Sequence, residues 1–117
     1  MTDQELNSPV WAIHTTHPQI VDKVRASLSE VVDPEIGLNI IQLGLIRDVT
    51  IDEGSHTGRV TMILTTPFCP YGPTMVDSTR QKAQEGLNMP TTVEMGMEMW
   101  DLSMMEDPTA LDWGLYN

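Results

Sequence analysis

Residues 43–64 read LGLIRDVTIDEGSHTGRVTMIL, and their periodicity decides the fold. Leu43, Leu45, Val49 and Ile51 fall on one side of a two-residue alternation, with Arg47 as the exception, which predicts a strand over 43–51. DEGSHTG (52–58) is a run of loop formers, and Val60, Met62 and Leu64 then resume the alternation. Two such runs joined by a short polar loop make an antiparallel hairpin, here with a loop longer than the tightest types.

Outward from the hairpin the period changes. Downstream, Met75, Val76, Thr79, Ala83 and Leu87 form one stripe of a helix over 73–86, with Gly86 and Asn88 as terminators. TTVEMGMEMW (91–100) alternates again and predicts a third strand that buries Val93, Met95, Met97 and Met99. Upstream, Thr16 suits an N-cap, Pro18 a first turn and Gln19 a capping box. Ile20, Val24, Leu28 and Val31 follow on one helical face, and Pro34 bars the helix from running further.

The expected architecture is therefore a two-layer α+β domain in the order α-β-β-α-β. It has a three-stranded, mainly antiparallel sheet with two helices on one face. Residues 16–100 form this domain, 1–15 a flexible leader and 101–117 an acidic, tryptophan-containing tail.

Composition restricts the function. The chain of 117 residues has the length of one domain, and its net charge is −11. The six cations, Lys23, Arg25, Arg47, Arg59, Arg80 and Lys82, are dispersed, whereas a nucleic-acid surface needs them clustered. The same acidity disfavours anionic membranes and favours basic partners. The start, MTDQELNSPVW, lacks the basic and apolar regions of a secretory signal, and no stretch has the length of a membrane span. A cytoplasmic protein with no nucleic-acid or membrane partner is the expectation.

One stretch carries distinctive chemistry. TTPFCPYG (65–72) holds the single cysteine, Cys69, in a bend stiffened by Pro67, Pro70 and the following Pro73. A thiol just ahead of a helix meets unpaired amides and the positive end of the helix dipole, which favour the thiolate, although the overall negative charge opposes it. Its structural alternative is a small buried hydrophobe. One cysteine cannot by itself hold an iron–sulfur cluster or a structural zinc, so a site shared across a homodimer or a transient one stays open.

A second candidate is DPEIG (33–37), where Asp33 and Glu35 flank Pro34 in a stiff turn; a plain solvated turn is its structural alternative. MGMEM (95–99) has thioethers that suit Cu(I), but strict alternation favours a core face. His14, His17 and His56 are not paired at ligand spacing, and no G-x-S-x-G elbow occurs.

Asp33-Pro34-Glu35, then Leu43-Gly44-Leu45, then Thr66-Pro67-Phe68-Cys69-Pro70 together resemble the PaaD/SufT-type family of metal–sulfur cluster biosynthesis, over residues 20–100. Two positions depart from its pattern: Gln42 stands where an acid is common, and Phe68 where glycine is common. The resemblance implies an iron–sulfur assembly or maturation factor, a carrier or adaptor serving scaffolds and client apoproteins rather than a turnover enzyme. It makes Cys69 the functional thiol and transient metal ligand for iron or an iron–sulfur cluster. Asp33, Pro34, Glu35, Thr66 and Pro70 would support it. Two alternatives compete: a thiol-dependent enzyme with Cys69 as nucleophile, and an interaction module with a structural cysteine. In an antiparallel hairpin the start of one strand lies beside the end of the other, so Asp33 and Glu35 are expected close to Cys69.

Overall fold

The computed structural model describes residues 9–34, 36–65 and 71–105. Within them the hairpin forms as expected: β1 (Ile46–Asp52) pairs antiparallel with β2 (Thr57–Met62). Val49 stands opposite Val60, and both are fully buried. The register slips between Ile46 and Asp48, making Arg47 the extra residue of a bulge. That is why Arg47 breaks the alternation. Its guanidinium, displaced from the ladder, donates to the Gly44 carbonyl (2.9 Å) and to Glu98 (3.0 Å).

The strand begins later than its alternation suggests. Residues 39–45 close a helical turn: Leu45 N–H donates to Ile40 O and Gly44 N–H to Ile41 O, with Gly44 at φ +75°. This is the paired hydrogen-bond pattern of a glycine-terminated helix end, in which Leu-Gly-Leu supplies the cap, the left-handed residue and the apolar residue after it. Asn39 and Gln42 brace the turn reciprocally. Asn39 N–H donates to the Gln42 side chain, and Gln42 N–H to the Asn39 side chain. Gln42 thus serves as a hydrogen-bonding brace.

Helix α3 (Gly72–Leu87) buries Met75, Thr79, Ala83 and Leu87 as expected and ends at Asn88, whose left-handed conformation (φ 61°) caps it. Gly86 is not a terminator but a contact. A Cβ there would stand 3.1 Å from the Val24 backbone, so its absence lets α3 cross closely over α2 (Val21–Leu28). β3 (Thr91–Met95) then adds parallel to β2. The sheet order is β1-β2-β3 and the sheet is mixed, one pairing antiparallel and one parallel.

Both ends of the described chain join the core. A short helix, α1 (Ala12–Thr16), lies where a leader was expected, and Thr16 closes it rather than capping the next helix. Trp11 and Ile13 are buried. The Trp11 indole donates to Ile46 O (3.1 Å) and Ala12 N–H to the Asp48 carboxylate (2.8 Å), which occupies the outer edge of β1. At the other end Met105 is buried, Trp100 donates its indole N–H to Leu43 O (2.7 Å), and the Met104 backbone lies on Gly44.

The methionine expectation is overturned. Met95, Met97 and Met99 are 49%, 96% and 82% exposed. β3 is an edge strand that stops at Met95. Gly96, packed on Ile63 and donating its N–H to Met62 O, then turns the chain away. Alternation puts residues on one face, but no layer covers this one among the described residues.

Candidate functional site

The DPE turn forms because two backbone bonds close it and glycine permits it. Asp33 N–H donates to Leu38 O (2.9 Å), Gly37 N–H returns to Asp33 O (2.8 Å), and Gly37 takes φ +86°. An antiparallel bridge between Val32 and Asn39 lies just behind. Asp33 is therefore drawn inward and is 1% exposed, so it does not project to solvent as the sequence suggested. Pro34 remains exposed at the tip.

Pro34 faces the start of α3. Together with Val31, Val32, Tyr71, Thr74 and Lys82 it lines a narrow groove of about 240 Å³. Tyr71, Thr74, Ser78 and Lys82 recur at helical spacing and give this wall hydroxyls and one ammonium. Lys82 Nζ lies 2.7 Å from Glu30 and 3.5 Å from Glu85. The hydrogen bond to Glu30 is the main cause of its pKa rising above the ordinary lysine value.

A second groove, of about 720 Å³, lies on the other side of the α3 start. Ile63, Val76, Met95, Met99 and Trp100 line it, with Glu98 as its single charged residue among those described. Its wall also includes Thr65 and Gly72, which flank residues 66–71 in sequence.

Of the residues singled out from sequence, Asp33 and Pro34 are thus placed, whereas Glu35, Thr66, Cys69 and Pro70 lie outside the described residues. Among the described residues no cluster of three or more His, Cys, Asp or Glu could hold a metal. No described histidine lines either groove: His14 Nδ1 accepts from Trp11 N–H, and His17 is bonded to Glu53 in the hairpin loop. Sequence inspection missed Tyr71, Lys82 and Trp100. Tyr71 carried a signal, since it ends the TTPFCPYG bend, but Lys82 and Trp100 reach their places only through long-range packing.

The model of the iron–sulfur cluster assembly protein family matches residues 21–95, from the start of α2 to the end of β3. The chain belongs to that family. It is 42% identical over 60 residues to the Fe-S protein maturation auxiliary factor YitW of Bacillus subtilis, covering 51% of this chain and 58% of that protein. An Fe-S protein maturation auxiliary factor of Porphyromonas gingivalis is 31% identical over 101 residues, covering 82% of this chain and 92% of that one. The match to the B. subtilis relative thus spans little more than half of its length, and that to the P. gingivalis relative nearly all of it.

Among solved structures, a domain of unknown function from Bacillus anthracis superposes with a TM-score of 0.71 at 26% identity, covering 86% of this chain and 96% of that one. A conserved hypothetical protein from Thermotoga maritima gives 0.65 at 28% identity, covering 80% and 93%. The PaaD/SufT-type resemblance and the α+β fold class both hold within this family, with the mixed sheet as the refinement.

Proposed function

We propose that this chain is a cytoplasmic maturation factor that takes iron or an iron–sulfur cluster transiently on Cys69 and passes it to client apoproteins. The observation that carries the reading is the groove shared by Pro34 and Tyr71 in a chain of this family. The DPE turn and the residue that follows the TTPFCP bend, more than thirty residues apart in sequence, thereby line one groove. Cys69 lies two residues before Tyr71 in the chain, so covalent reach alone keeps it within roughly 7 Å of that residue's Cα. Thr66 and Pro70 would shape the bend, and Glu35 would come with the DPE turn.

The cluster is cargo on this reading, because a single cysteine leaves most of its ligands to be supplied by a partner or by a second copy. The hydroxyl donors of Tyr71 and Thr74 would favour an anionic thiolate complex at this end of the helix, while the Lys82 ammonium is held by Glu30 and Glu85. An accessory role suits the same chemistry, because transfer needs only a thiolate and an acceptor. No helix among the described residues is long and apolar enough to cross a membrane.

The test is anaerobic reconstitution with ferrous iron and sulfide, followed by optical spectra, sizing and transfer to an apo-ferredoxin. Charge-transfer absorption and transfer are expected for the native chain and absent for Cys69→Ser. Equal transfer by both proteins would overturn the reading.

A further inference from the structure

The two outer edges of the sheet are treated differently. β1 is covered by α1, through the Trp11 indole on Ile46 O and the Asp48 carboxylate on Ala12 N–H. Among the described residues β3 pairs only with β2, and no strand lies on its far edge. From the end of β3 the apolar groove of Ile63, Val76, Met95, Met99 and Trp100 continues towards Thr65 and Gly72. Beside it Met97 is 96% exposed, and Met99, on its wall, is 82% exposed. An open strand edge running into an apolar groove fits an extended segment, whose backbone adds to the edge and whose side chains fill the groove. Methionine walls adapt to different side chains, which suits several partners in turn.

Charge selects among the occupants. The groove's described lining has no cation and one acid, Glu98, which Arg47 bridges from outside it, and the chain as a whole has a net charge of −11. A second copy would bring the same −11 to the contact. Residues 106–117, EDPTALDWGLYN, have the apolar residues Leu111, Trp113 and Leu115 at two-residue spacing, but also three acids and no cation. A separate partner with lysines or arginines around an apolar stretch is the one that gains from this field.

We infer that the β3 edge and its apolar groove dock an extended apolar segment with basic flanks on the client protein, beside both ends of the Cys69-bearing loop. The inference rests on the maturation reading for the identity of the partner, and it adds where that partner sits.

The experiment uses the full chain labelled with ¹³C at its methionine methyls. It is titrated with a short peptide of alternating valine and leucine between lysine pairs, and with its twin flanked by glutamates. The lysine-flanked peptide is expected to shift Met95 and Met99 and to lose affinity as salt is added. The glutamate-flanked twin should bind at least about tenfold more weakly, and Met99→Asp, at an exposed site that costs little packing, should weaken the lysine peptide by about tenfold. Binding that ignores the flanking charge, or shifts that fall elsewhere, would overturn the inference.

Before titration a soluble paramagnetic agent should broaden the Met95 and Met99 methyls. If they are protected and sedimentation shows a dimer, a second copy is the occupant; if they are protected in a monomer, residues 106–117 are. Either result overturns the inference. No iron enters these measurements, so the two readings fail separately. Absent peptide binding with intact Cys69-dependent transfer removes the docking site alone, and intact binding with Cys69-independent transfer removes the maturation reading alone.

Discussion

Two turns in this molecule are closed by the same device and surrounded in opposite ways. Gly37 ends the DPE turn at φ +86°, and Gly44 ends the turn before β1 at φ +75°. A Cβ at Gly37 would meet nothing within 4 Å, whereas at Gly44 it would stand 2.0 Å from the Met104 carbonyl oxygen. The first glycine serves chain conformation alone and leaves its turn open beside the groove of Tyr71 and Lys82. The second also admits the segment 100–105, which carries the Trp100 wall of the apolar groove onto the core. One turn presents and the other anchors.

The difference is open to measurement, and Gly44→Ala should show the largest effect. It adds left-handed strain of roughly 1–2 kcal/mol to overpacking of about 1–3 kcal/mol against a backbone carbonyl. A loss of about 2–5 kcal/mol is expected in urea unfolding, with Trp100 fluorescence changing in the native state. A loss no greater than that of Gly37→Ala would break the comparison.

Gly37→Ala should cost only the strain, about 1–2 kcal/mol, with Trp100 fluorescence unaltered. Trp100→Phe keeps an aromatic ring but removes the donor to Leu43 O, and should cost about 1 kcal/mol. Hydrogen exchange should then quicken in residues 100–105 and not in the DPE turn.

A pH effect sharpens the anchor further. The Asp101 carboxylate accepts from the Ser103 hydroxyl and from Ser103 N–H (2.8 Å), with Arg47 adding attraction, so its pKa lies below the ordinary carboxylate value. A lowered carboxyl pKa contributes stability above the unfolded value and loses it as pH falls through the folded one. Acidification through the carboxylate range should therefore lower the exchange protection of Met104 relative to its intrinsic rate, since its N–H bonds to Asp101 O, before it affects β1 or β2. Asp101→Asn should remove that pH dependence. The smallest stability effect belongs to Cys69→Ser, expected within about 0.5 kcal/mol as for substitutions away from packed features, while cluster transfer is lost. A large fall in melting temperature would instead identify a packed, structural cysteine.

Much of the fold was legible because hairpins and amphipathic helices are local. Val49, Val60 and Met62 alternate, Met75, Thr79 and Ala83 recur at helical spacing, and each set is buried as its period implies. The order of elements and the three motifs of the family were legible for the same reason. Of the candidate site, the chain shows which turns are stiff, and Pro34 shares a groove with Tyr71, while Glu35, Thr66, Cys69 and Pro70 lie outside the described residues. Asp33 was misjudged because a carboxylate beside proline reads as solvated until a backbone bridge draws it in.

What the tertiary structure alone decided concerns coverage and long-range docking. Periodicity states which side chains share a face, never whether another element lies over it. Met95, Met97 and Met99 therefore alternate like core residues and yet are exposed, because β3 is the sheet's edge. The burial of Trp11 and the anchoring of Trp100 depend on acceptors more than thirty residues away, Ile46 O and Leu43 O, which no local period reveals. Leu43-Gly44-Leu45 alternates like a strand but caps a turn, since a glycine's left-handed φ leaves no mark in hydrophobicity. Local chemistry wrote the elements into the sequence; which faces stay open to a partner was settled only when those elements packed.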